Sequence, residues 1–119
     1  MKIGDKVLVY GSLKRGQFNN NRLLDSTYLG EASLSGAVLY DLGAFPALKM
    51  TGNLHDVVHG EIFRINSEAA ARSCDALEGH PDFYRRIETD TSEGRAWVYV
   101  FQDDLTMYSD RIIKDGVWR

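Results

Sequence analysis

The alternation of apolar and polar positions predicts a chain built mostly of β-strands. Residues 7–10 are apolar on both faces, as is typical of a buried strand. Longer segments with strand-like composition, each bounded by turn residues, cover 28–33, 37–42 and 57–65. Ser35-Gly36 is a plausible turn between the first two of these, and Gly60 is a candidate β-bulge inside the third.

The later part of the chain predicts a pair of strands over 84–89 and 95–101, joined through Ser92-Glu93-Gly94. The second strand is apolar on both faces: one carries Trp97, Tyr99 and Phe101, and the other Ala96, Val98 and Val100. Such a strand is central or wraps a core. Residues 45–48 predict a short edge strand or loop, because Pro46 lacks a ladder donor. Residues 112–118 predict a last strand, with a local turn at Asp115-Gly116.

One helix is predicted over 67–78. Ser67 can cap its N-terminus, its apolar residues recur at spacings of four and three, and Gly79 ends it. A weaker helical turn covers 20–24. Many strands with one or two flanking helices indicate an α+β fold, and two-sided apolar strands favour a small mixed β-barrel, closed or nearly closed. We expect one domain over residues 1–119.

Composition narrows the classes of function. The chain has 119 residues and a formal net charge of −3, with only isolated pairs of basic residues, so we expect no binding of nucleic acid. No segment approaches the roughly 20 apolar residues of a membrane helix, and the N-terminus lacks the apolar run of a signal peptide. The single cysteine, Cys74, cannot form an intrachain disulfide. We therefore expect a cytoplasmic protein without a membrane partner.

The segment Tyr10-Gly11-Ser12-Leu13 leaves the first buried strand at a glycine. The backbone N–H groups of Gly11, Ser12 and Leu13 could converge on a carboxylate or an oxyanion, with Lys14 and Arg15 adding positive potential nearby. The glycine spacing imitates a phosphate-binding P-loop, but the residues that such a loop requires after its second glycine are missing. An ordinary glycine turn between strands is the commoner use of such a segment.

Glu78 lies at the C-terminal end of the predicted helix, where the helix dipole is negative. An exposed carboxylate there costs roughly 0.3–1 kcal/mol. Asp75, three residues earlier, adds like-charge repulsion on nearly the same face. Both effects, and partial burial beside Phe83, Tyr84 or Trp97, would raise the pKa of Glu78 and suit it to general acid/base work. The alternative interpretation is a solvated surface glutamate.

The remaining motifs give weaker evidence of function than the loop after the first strand and Glu78. His55 and His59 superficially resemble a zinc motif, but on a strand they would lie roughly 13 Å apart and could not share one ion, so we expect no metal site. Cys74 lies on the apolar helix face and fits core packing. Ser12 lacks the context of a nucleophile elbow. Arg85 and Arg86 must point to opposite faces of their strand, so at most one would reach a pocket.

Taken together, these segments resemble the gamma-glutamylcyclotransferase-like family. The resemblance spans most of the chain in the family's order, and its most specific part combines the Tyr-Gly-Ser-Leu element with a later glutamate before a Tyr-Arg pair. The matching stretches are Val9-Tyr10-Gly11-Ser12-Leu13 with Lys14-Arg15-Gly16, Phe45-Pro46-Ala47, His59-Gly60-Glu61-Ile62-Phe63, Leu77-Glu78-Gly79 with Tyr84-Arg85-Arg86, and Ala96-Trp97-Val98-Tyr99-Val100.

The resemblance implies a mixed β-barrel with flanking helices and a pocket between the Tyr-Gly-Ser-Leu loop and the glutamate. It also implies cleavage of a gamma-glutamyl amide by cyclisation, which releases 5-oxoproline and a free amine without a cofactor. Glu78 would be the catalytic acid/base. The substrate would be bound by Tyr10, Gly11, Ser12 and Leu13, with Tyr84 and Tyr99 as pocket walls or hydroxyl donors.

Two other classes of function stay open at this point. A binding protein could use the same cradle to hold an amino-acid-like anion without chemistry, and an interaction module could bind a protein partner at a strand edge. The leaving amine is also open among glutathione, a gamma-glutamyl amino acid, a gamma-glutamyl-lysine crosslink and an antibiotic precursor. The sequence leaves the oligomeric state undetermined.

Overall fold

The structure is a computed structural model that describes residues 1–23 and 25–119. Within these residues the chain forms seven strands: β1 (Lys6–Val9), β2 (Ser26–Ser35), β3 (Ala37–Asp41), β4 (Pro46–Met50), β5 (Val57–Ile65), β6 (Tyr84–Thr91) and β7 (Gly94–Phe101). One α-helix, α1 (Glu68–Glu78), lies between β5 and β6, and two short 3-10 helices cover Asn20–Leu23 and Thr106–Arg111. This composition confirms the predicted α+β class.

Five strands form one mixed sheet in the order β2-β5-β1-β7-β6, and β3 pairs with β4 in a separate ribbon. β1 runs antiparallel to β5 and parallel to β7. The outer strands approach each other where the backbone N–H of Ser92 donates to the Ser33 carbonyl (2.9 Å) and that of Ser33 to Ser92 Oγ (2.8 Å). No strand ladder joins these edges in the part of the chain that the structure describes. The sheet is therefore curled and nearly closed, but it is not a closed barrel.

The two faces of β7 pack into two different apolar clusters, as the alternation predicts. Tyr99 and Phe101 pack on the side that α1 covers, in the cluster that includes Cys74. Ala96 and Val98 face the opposite side and join the cluster that includes residues of the β3–β4 ribbon. The central position of β1 and β7 follows from this two-sided burial, because a strand that is apolar on both faces must be covered on both.

Helix α1 has the predicted ends. Ser67 caps it: its Oγ accepts a hydrogen bond from the Ala70 N–H at 3.1 Å. Gly79 ends it in the left-handed conformation, with a φ of 64°. Cys74 is fully buried on the packed face, which confirms its structural role. The predicted turn over 20–24 is a 3-10 helix over Asn20–Leu23, and residue 24 lies outside the described residues.

The prediction of a short edge strand over 45–48 is confirmed for residues 46–48, which belong to β4 in the two-stranded ribbon. β4 begins at Pro46 opposite Asp41, at the end of the ribbon, where the missing donor does no harm. The expected strand over 112–118 is wrong. Isolated contacts hold this segment: a single bridge pairs Ile112 with Tyr40, and the His59 N–H donates to the Gly116 carbonyl at 2.9 Å.

Gly60 is not a bulge. It pairs in register with Ala32, and the irregularity between β2 and β5 lies between Tyr28 and Gly30. A Cβ on Gly60 would lie 2.4 Å from the Val9 carbonyl oxygen. The glycine is therefore needed because β1 passes very close to it.

No helix of the described chain combines the length and the apolar character that a transmembrane crossing needs.

Candidate active site

A cavity of about 450 Å³ lies where the end of β1, the end of α1 and the beginning of β6 meet. Its wall includes every residue that the sequence nominates for the site: Tyr10, Gly11, Ser12, Leu13, Glu78, Tyr84 and Tyr99. Segments more than sixty residues apart in the chain are thus brought to one concave surface. A cavity of this size suits a small molecule.

The loop after β1 presents unused backbone donors. Within the described part of the chain, the N–H groups of Gly11, Ser12 and Leu13 donate no hydrogen bond. The loop carbonyls, in contrast, accept hydrogen bonds: the Asn19 N–H donates to the Ser12 carbonyl (2.9 Å), and Asn20 Nδ2 donates to that of Leu13 (2.8 Å). The loop therefore offers donors rather than acceptors, which is what an anion requires.

Asn19 holds this loop and was not predicted from the sequence. Besides its backbone contact, its Nδ2 donates to Ser12 Oγ at 2.9 Å, and the residue itself lines the cavity. The available signal is the Asn19-Asn20-Asn21 run, because asparagine side chains readily bond to nearby backbone in turns. Nothing local in the sequence shows that the partner of Asn19 is Ser12.

Gly11 is required by a close contact. A Cβ at this position would lie 2.9 Å from Pro46 Cγ. The φ of Gly11 is not positive, so conformational strain does not explain the residue. The loop is instead packed against the first residue of β4, and Pro46 itself lines the cavity.

The basic side chains next to the loop are engaged elsewhere. Lys14 Nζ donates to the Trp118 carbonyl at 2.6 Å. The Arg15 guanidinium stacks 3.5 Å from the centre of the Tyr28 ring and lies 3.6 Å from Glu61. Neither side chain lines the cavity. The expectation that Lys14 and Arg15 add positive charge at the cradle is therefore corrected.

Glu78 is partly buried at the cavity wall, at the last residue of α1. Among the residues that the structure describes, none donates a hydrogen bond to its carboxylate. Burial raises the pKa of Glu78 from the ordinary value of 4.5 to about 7. The direction is the one expected from the sequence, but the cause is desolvation rather than the charge of Asp75.

Asp75 makes no contribution to the raised pKa of Glu78, and its own charge is paired. Arg86 Nε and Nη2 donate to the two carboxylate oxygens of Asp75 at 2.6 and 3.1 Å, and the Tyr99 hydroxyl donates to Oδ1 at 2.6 Å. Burial raises the pKa of Asp75, but these hydrogen bonds outweigh it and the pKa is lowered. Arg86 also lies 4.9 Å over the Trp97 ring. We call Asp75, Arg86 and Tyr99 the carboxylate clamp. Arg86 and the exposed Arg85 lie outside the cavity.

The three tyrosines contribute walls rather than free hydroxyl donors. The Tyr10 hydroxyl donates to the Tyr99 carbonyl, and the Tyr84 hydroxyl donates to the Pro46 carbonyl, both at 2.6 Å. The Tyr99 hydroxyl belongs to the carboxylate clamp. Burial raises the pKa of each of these tyrosines, so all three stay protonated near neutral pH.

The arrangement matches a known family. Residues 7–119 match the sequence profile described as gamma-glutamyl cyclotransferase, AIG2-like. The chain belongs to this family. This confirms the resemblance inferred from the sequence motifs.

Curated relatives agree with the family assignment. A Vibrio cholerae protein with a provisional gamma-glutamylcyclotransferase name is 38% identical over 113 residues, which cover 94% of this chain and 93% of the relative. The gamma-glutamylcyclotransferase family protein YtfP of Escherichia coli K12 is 34% identical over 113 residues, or 95% of each chain.

Solved structures agree with the fold. The solution structure of YtfP from Escherichia coli has a TM-score of 0.71 at 33% identity and covers 95% of each chain. An AIG2-like protein from Mus musculus has a TM-score of 0.82, covering 99% of this chain and 90% of the other, at 22% identity. The second likeness concerns the fold alone. Together they place this member of the gamma-glutamyl cyclotransferase, AIG2-like family on the family's α+β architecture.

Proposed function

We propose that the protein is a gamma-glutamyl cyclotransferase that releases 5-oxoproline and a free amine from a gamma-glutamyl amide. One observation carries the proposal: a single cavity has unused backbone donors on one wall and, on another, a carboxyl group whose pKa is raised to about 7. A gamma-glutamyl group offers the matching pair, an α-carboxylate and an α-ammonium. Family membership supports the same chemistry.

Binding would orient the substrate by its two charges. The N–H groups of Gly11, Ser12 and Leu13 hold the α-carboxylate, because backbone donors in a turn form an anion-binding concavity. The α-ammonium then faces Glu78, and the tyrosine rings form the walls around the folded side chain. This conformation brings the amine close to the γ-carbonyl of the same residue, so that attack is intramolecular.

Glu78 would move the protons. Its carboxylate takes one proton from the α-ammonium, whose reference pKa is about 7.7–8.0. The freed amine attacks the γ-carbonyl, a new C–N bond closes the ring, and the amide C–N bond breaks. Glu78 returns its proton to the leaving nitrogen, and the second ammonium proton completes the charge of the released amine. A pKa near that of the donor suits both transfers.

The reaction requires no redox step and no acyl acceptor other than the substrate's own amine, because the nucleophile and the electrophile belong to the same substrate. We therefore propose that the enzyme works without a cofactor and without a nucleophilic side chain. A single domain over residues 1–119 and a cytoplasmic location are part of the same proposal, as is the lack of a nucleic-acid or membrane partner.

The test is release of 5-oxoproline, measured by mass spectrometry over a panel of gamma-glutamyl amides. We expect product from the unmodified protein and a loss of at least about 10²-fold for Glu78→Gln. Glu68→Gln is the matched control, because Glu68 is an exposed glutamate of the same helix outside the cavity. Calorimetry should show that Glu78→Gln still binds the amides. Absence of product from the unmodified protein, combined with tight binding, would favour the non-catalytic binding protein.

A further inference from the structure

The loop that carries the proposed anion donors ends at Lys14, and hydrogen bonds hold that end. The backbone N–H of Lys14 donates to the Gly11 carbonyl at 3.1 Å, which closes the turn. The N–H of the next residue, Arg15, donates to Glu61 Oε1 at 2.7 Å. On the side away from the cavity, Lys14 and Glu61 border a polar groove of about 580 Å³. The position of this end of the loop therefore depends on its hydrogen bonds, because a polar groove rather than an apolar core lies behind it.

The side chain of Lys14 ties the loop to the segment after residue 111. We call residues 112–119 the strap, and the hydrogen bond that Lys14 Nζ donates to the Trp118 carbonyl at 2.6 Å the latch. Burial lowers the pKa of Lys14, so its ammonium is partly desolvated and needs the carbonyl as a partner. Trp118 itself lines the cavity. The strap thus forms part of the wall and also holds the loop.

The strap is anchored to the sheet at Gly116. The His59 N–H of β5 donates to the Gly116 carbonyl at 2.9 Å. Gly116 is buried, has a φ of 69°, and approaches β5 so closely that a Cβ would collide with the Val57 carbonyl oxygen. This anchor lies outside the cavity, although it fixes the segment that carries the latch.

The carboxylate of Asp115 braces the strap around Trp118. It accepts hydrogen bonds from the Val117 N–H at 3.2 Å and from the Arg119 guanidinium at 2.7 Å. These two donors belong to the residues before and after Trp118. The Trp118 carbonyl is therefore positioned by contacts that a bound substrate does not touch.

We propose that the strap is part of the active site and that Lys14 is a positioning residue, which acts through the latch on the three backbone donors of the loop. The proposal rests on the proposed function, in which these donors hold the α-carboxylate of the substrate. The α-carboxylate does not react, so the loop holds it equally well in the ground state and in the transition state. Loss of the latch should therefore weaken binding and leave the chemical step unchanged.

Lys14→Met removes the ammonium and keeps most of the length of the side chain. With the gamma-glutamyl amide that gives most product, we expect the KM to rise at least about fivefold and kcat to stay within about twofold. Lys14→Arg retains a donor and should recover most of the affinity. Lys49→Met is the matched control, because Lys49 Nζ also donates to two backbone carbonyls, at 2.8 and 3.0 Å, but lies outside the cavity. Its KM should stay normal.

Variants of the strap test the same link without a change of charge at the loop. Gly116→Ala displaces the strap from β5 and should raise the KM as Lys14→Met does. The double variant should raise the KM little further, because both substitutions break one connection. Asp115→Ala provides a milder second variant, since it removes the brace without introducing a clash. Normal KM values for both strap variants would overturn the proposal, because the effect of Lys14 would then come from its charge alone.

Gly52→Ala is the matched control for Gly116→Ala. Gly52 has a similar φ of 74°, but within the described residues no atom lies within 4 Å of an added Cβ. The two substitutions impose a similar backbone strain, and Gly52 lies outside the cavity and the strap. We expect Gly52→Ala to lower stability and to leave the KM unchanged. A KM that rises equally in both variants would attribute the effect to strain and overturn the role of the strap.

Hydrogen exchange measures the order of the loop without any turnover. The Asn19 N–H donates to the Ser12 carbonyl at 2.9 Å, so its protection reports whether the loop keeps its shape. We expect its exchange to be at least about fivefold faster in Lys14→Met than in the unmodified protein. Lys49→Met should leave it unchanged.

The failure of this inference and that of the proposed function give different results. If the unmodified protein releases 5-oxoproline and Lys14→Met has a normal KM, the inference is overturned and the proposed function stands. If the unmodified protein gives no product, the proposed function fails, and exchange of the Asn19 N–H decides on the latch. Faster exchange in Lys14→Met than in Lys49→Met then supports the latch, and equal rates overturn it.

Discussion

At the scale of single residues, the site depends on what surrounds Glu78 and Gly11. A glutamate at the end of a helix is ordinary, but this one is partly buried beside aromatic rings and accepts no hydrogen bond within the described part of the chain. Its raised pKa is therefore a property of burial. Likewise, Gly11 is needed because of Pro46, a residue of another strand.

The raised pKa of Glu78 predicts a dependence of stability on pH. The folded state holds the proton up to a pH of about 7, whereas the unfolded chain releases it near 4.5, so ionisation destabilises the fold as pH rises through this window. The neutral variant Glu78→Gln avoids this loss. As pH rises through this window, we expect the free energy of unfolding of Glu78→Gln to increase by roughly 3 kcal/mol relative to that of the unmodified protein. Urea denaturation of both proteins at each pH measures this difference. A gain no larger than that of Glu68→Gln would contradict burial of the carboxyl group.

The close contact between Gly11 and Pro46 predicts that a side chain at position 11 disrupts the loop and that a smaller residue at position 46 partly restores it. Gly11→Ala places a methyl group against Pro46 Cγ at 2.9 Å, which must displace the loop. We expect a rise in KM of about tenfold with a loss of stability of about 1–3 kcal/mol. Because alanine lacks a Cγ, the double variant Gly11→Ala/Pro46→Ala should recover part of both losses. If the effects of the two single substitutions on KM and stability simply add, then the loop and β4 are not coupled through this contact.

At the scale of elements, the functional part of α1 is positioned by the strands beside it. The carboxylate clamp connects the last turns of α1 to β6 and β7 through Asp75, Arg86 and Tyr99. Glu78 lies three residues after Asp75 on the same helix. The clamp therefore holds the end of the helix in place and also pairs the Asp75 carboxylate, which would otherwise repel a charged Glu78.

Arg86→Met should reveal both roles of the clamp. Without its partner, the half-buried charge of Asp75 destabilises the fold, and we expect a loss of about 1–3 kcal/mol. The freed charge should also move the acid limb of the kcat/KM profile for 5-oxoproline release to higher pH, because it disfavours ionisation of Glu78. Arg85→Met is the matched control, since Arg85 is an exposed neighbour on the same strand. Identical acid limbs for the two variants would refute the electrostatic role.

At the scale of the whole molecule, the cavity exists because a curled sheet brings distant segments together. β1 lies between β5 and β7, so the loop after β1 opens next to the end of α1, which packs on the same face of the sheet. The cluster that contains Cys74 also contains Val9, Leu13, Tyr84 and Tyr99, which line the cavity. Opening of this core would therefore dismantle the site as well.

Cys74 can report on that opening. Its thiol is 0% exposed, and burial raises its pKa to about 12, so the native protein should not react with a thiol reagent at pH 8. We expect labelling only through unfolding. The labelling rate should therefore increase with urea concentration in parallel with the fraction of globally unfolded protein. Fast labelling in the absence of denaturant would indicate a local opening of α1. A ligand that occupies the cavity should slow the reaction further by stabilising the native state.

Much of the fold and the site could be predicted from local pattern. β5 has the predicted bounds, the ends of α1 follow from Ser67 and Gly79, and the two faces of β7 follow from alternation. The strand prediction that failed, over 112–118, concerns a segment without a strong pattern of its own. The chain after residue 111 is fixed by single contacts with β3 and β5. Such isolated contacts leave no periodic pattern in the sequence and could not be predicted from it.

The sequence by itself determined the strands, the helix, the family and the residues from which a site is proposed, because these depend on periodicity, capping and short motifs along the chain. The tertiary structure alone decided the environment of those residues. It buries Glu78, pairs Asp75 with Arg86, turns Lys14 and Arg15 away from the cavity and lines much of the cavity with apolar side chains. The physical reason is that desolvation and charge pairing depend on neighbours in space, which here come from segments far apart in the chain.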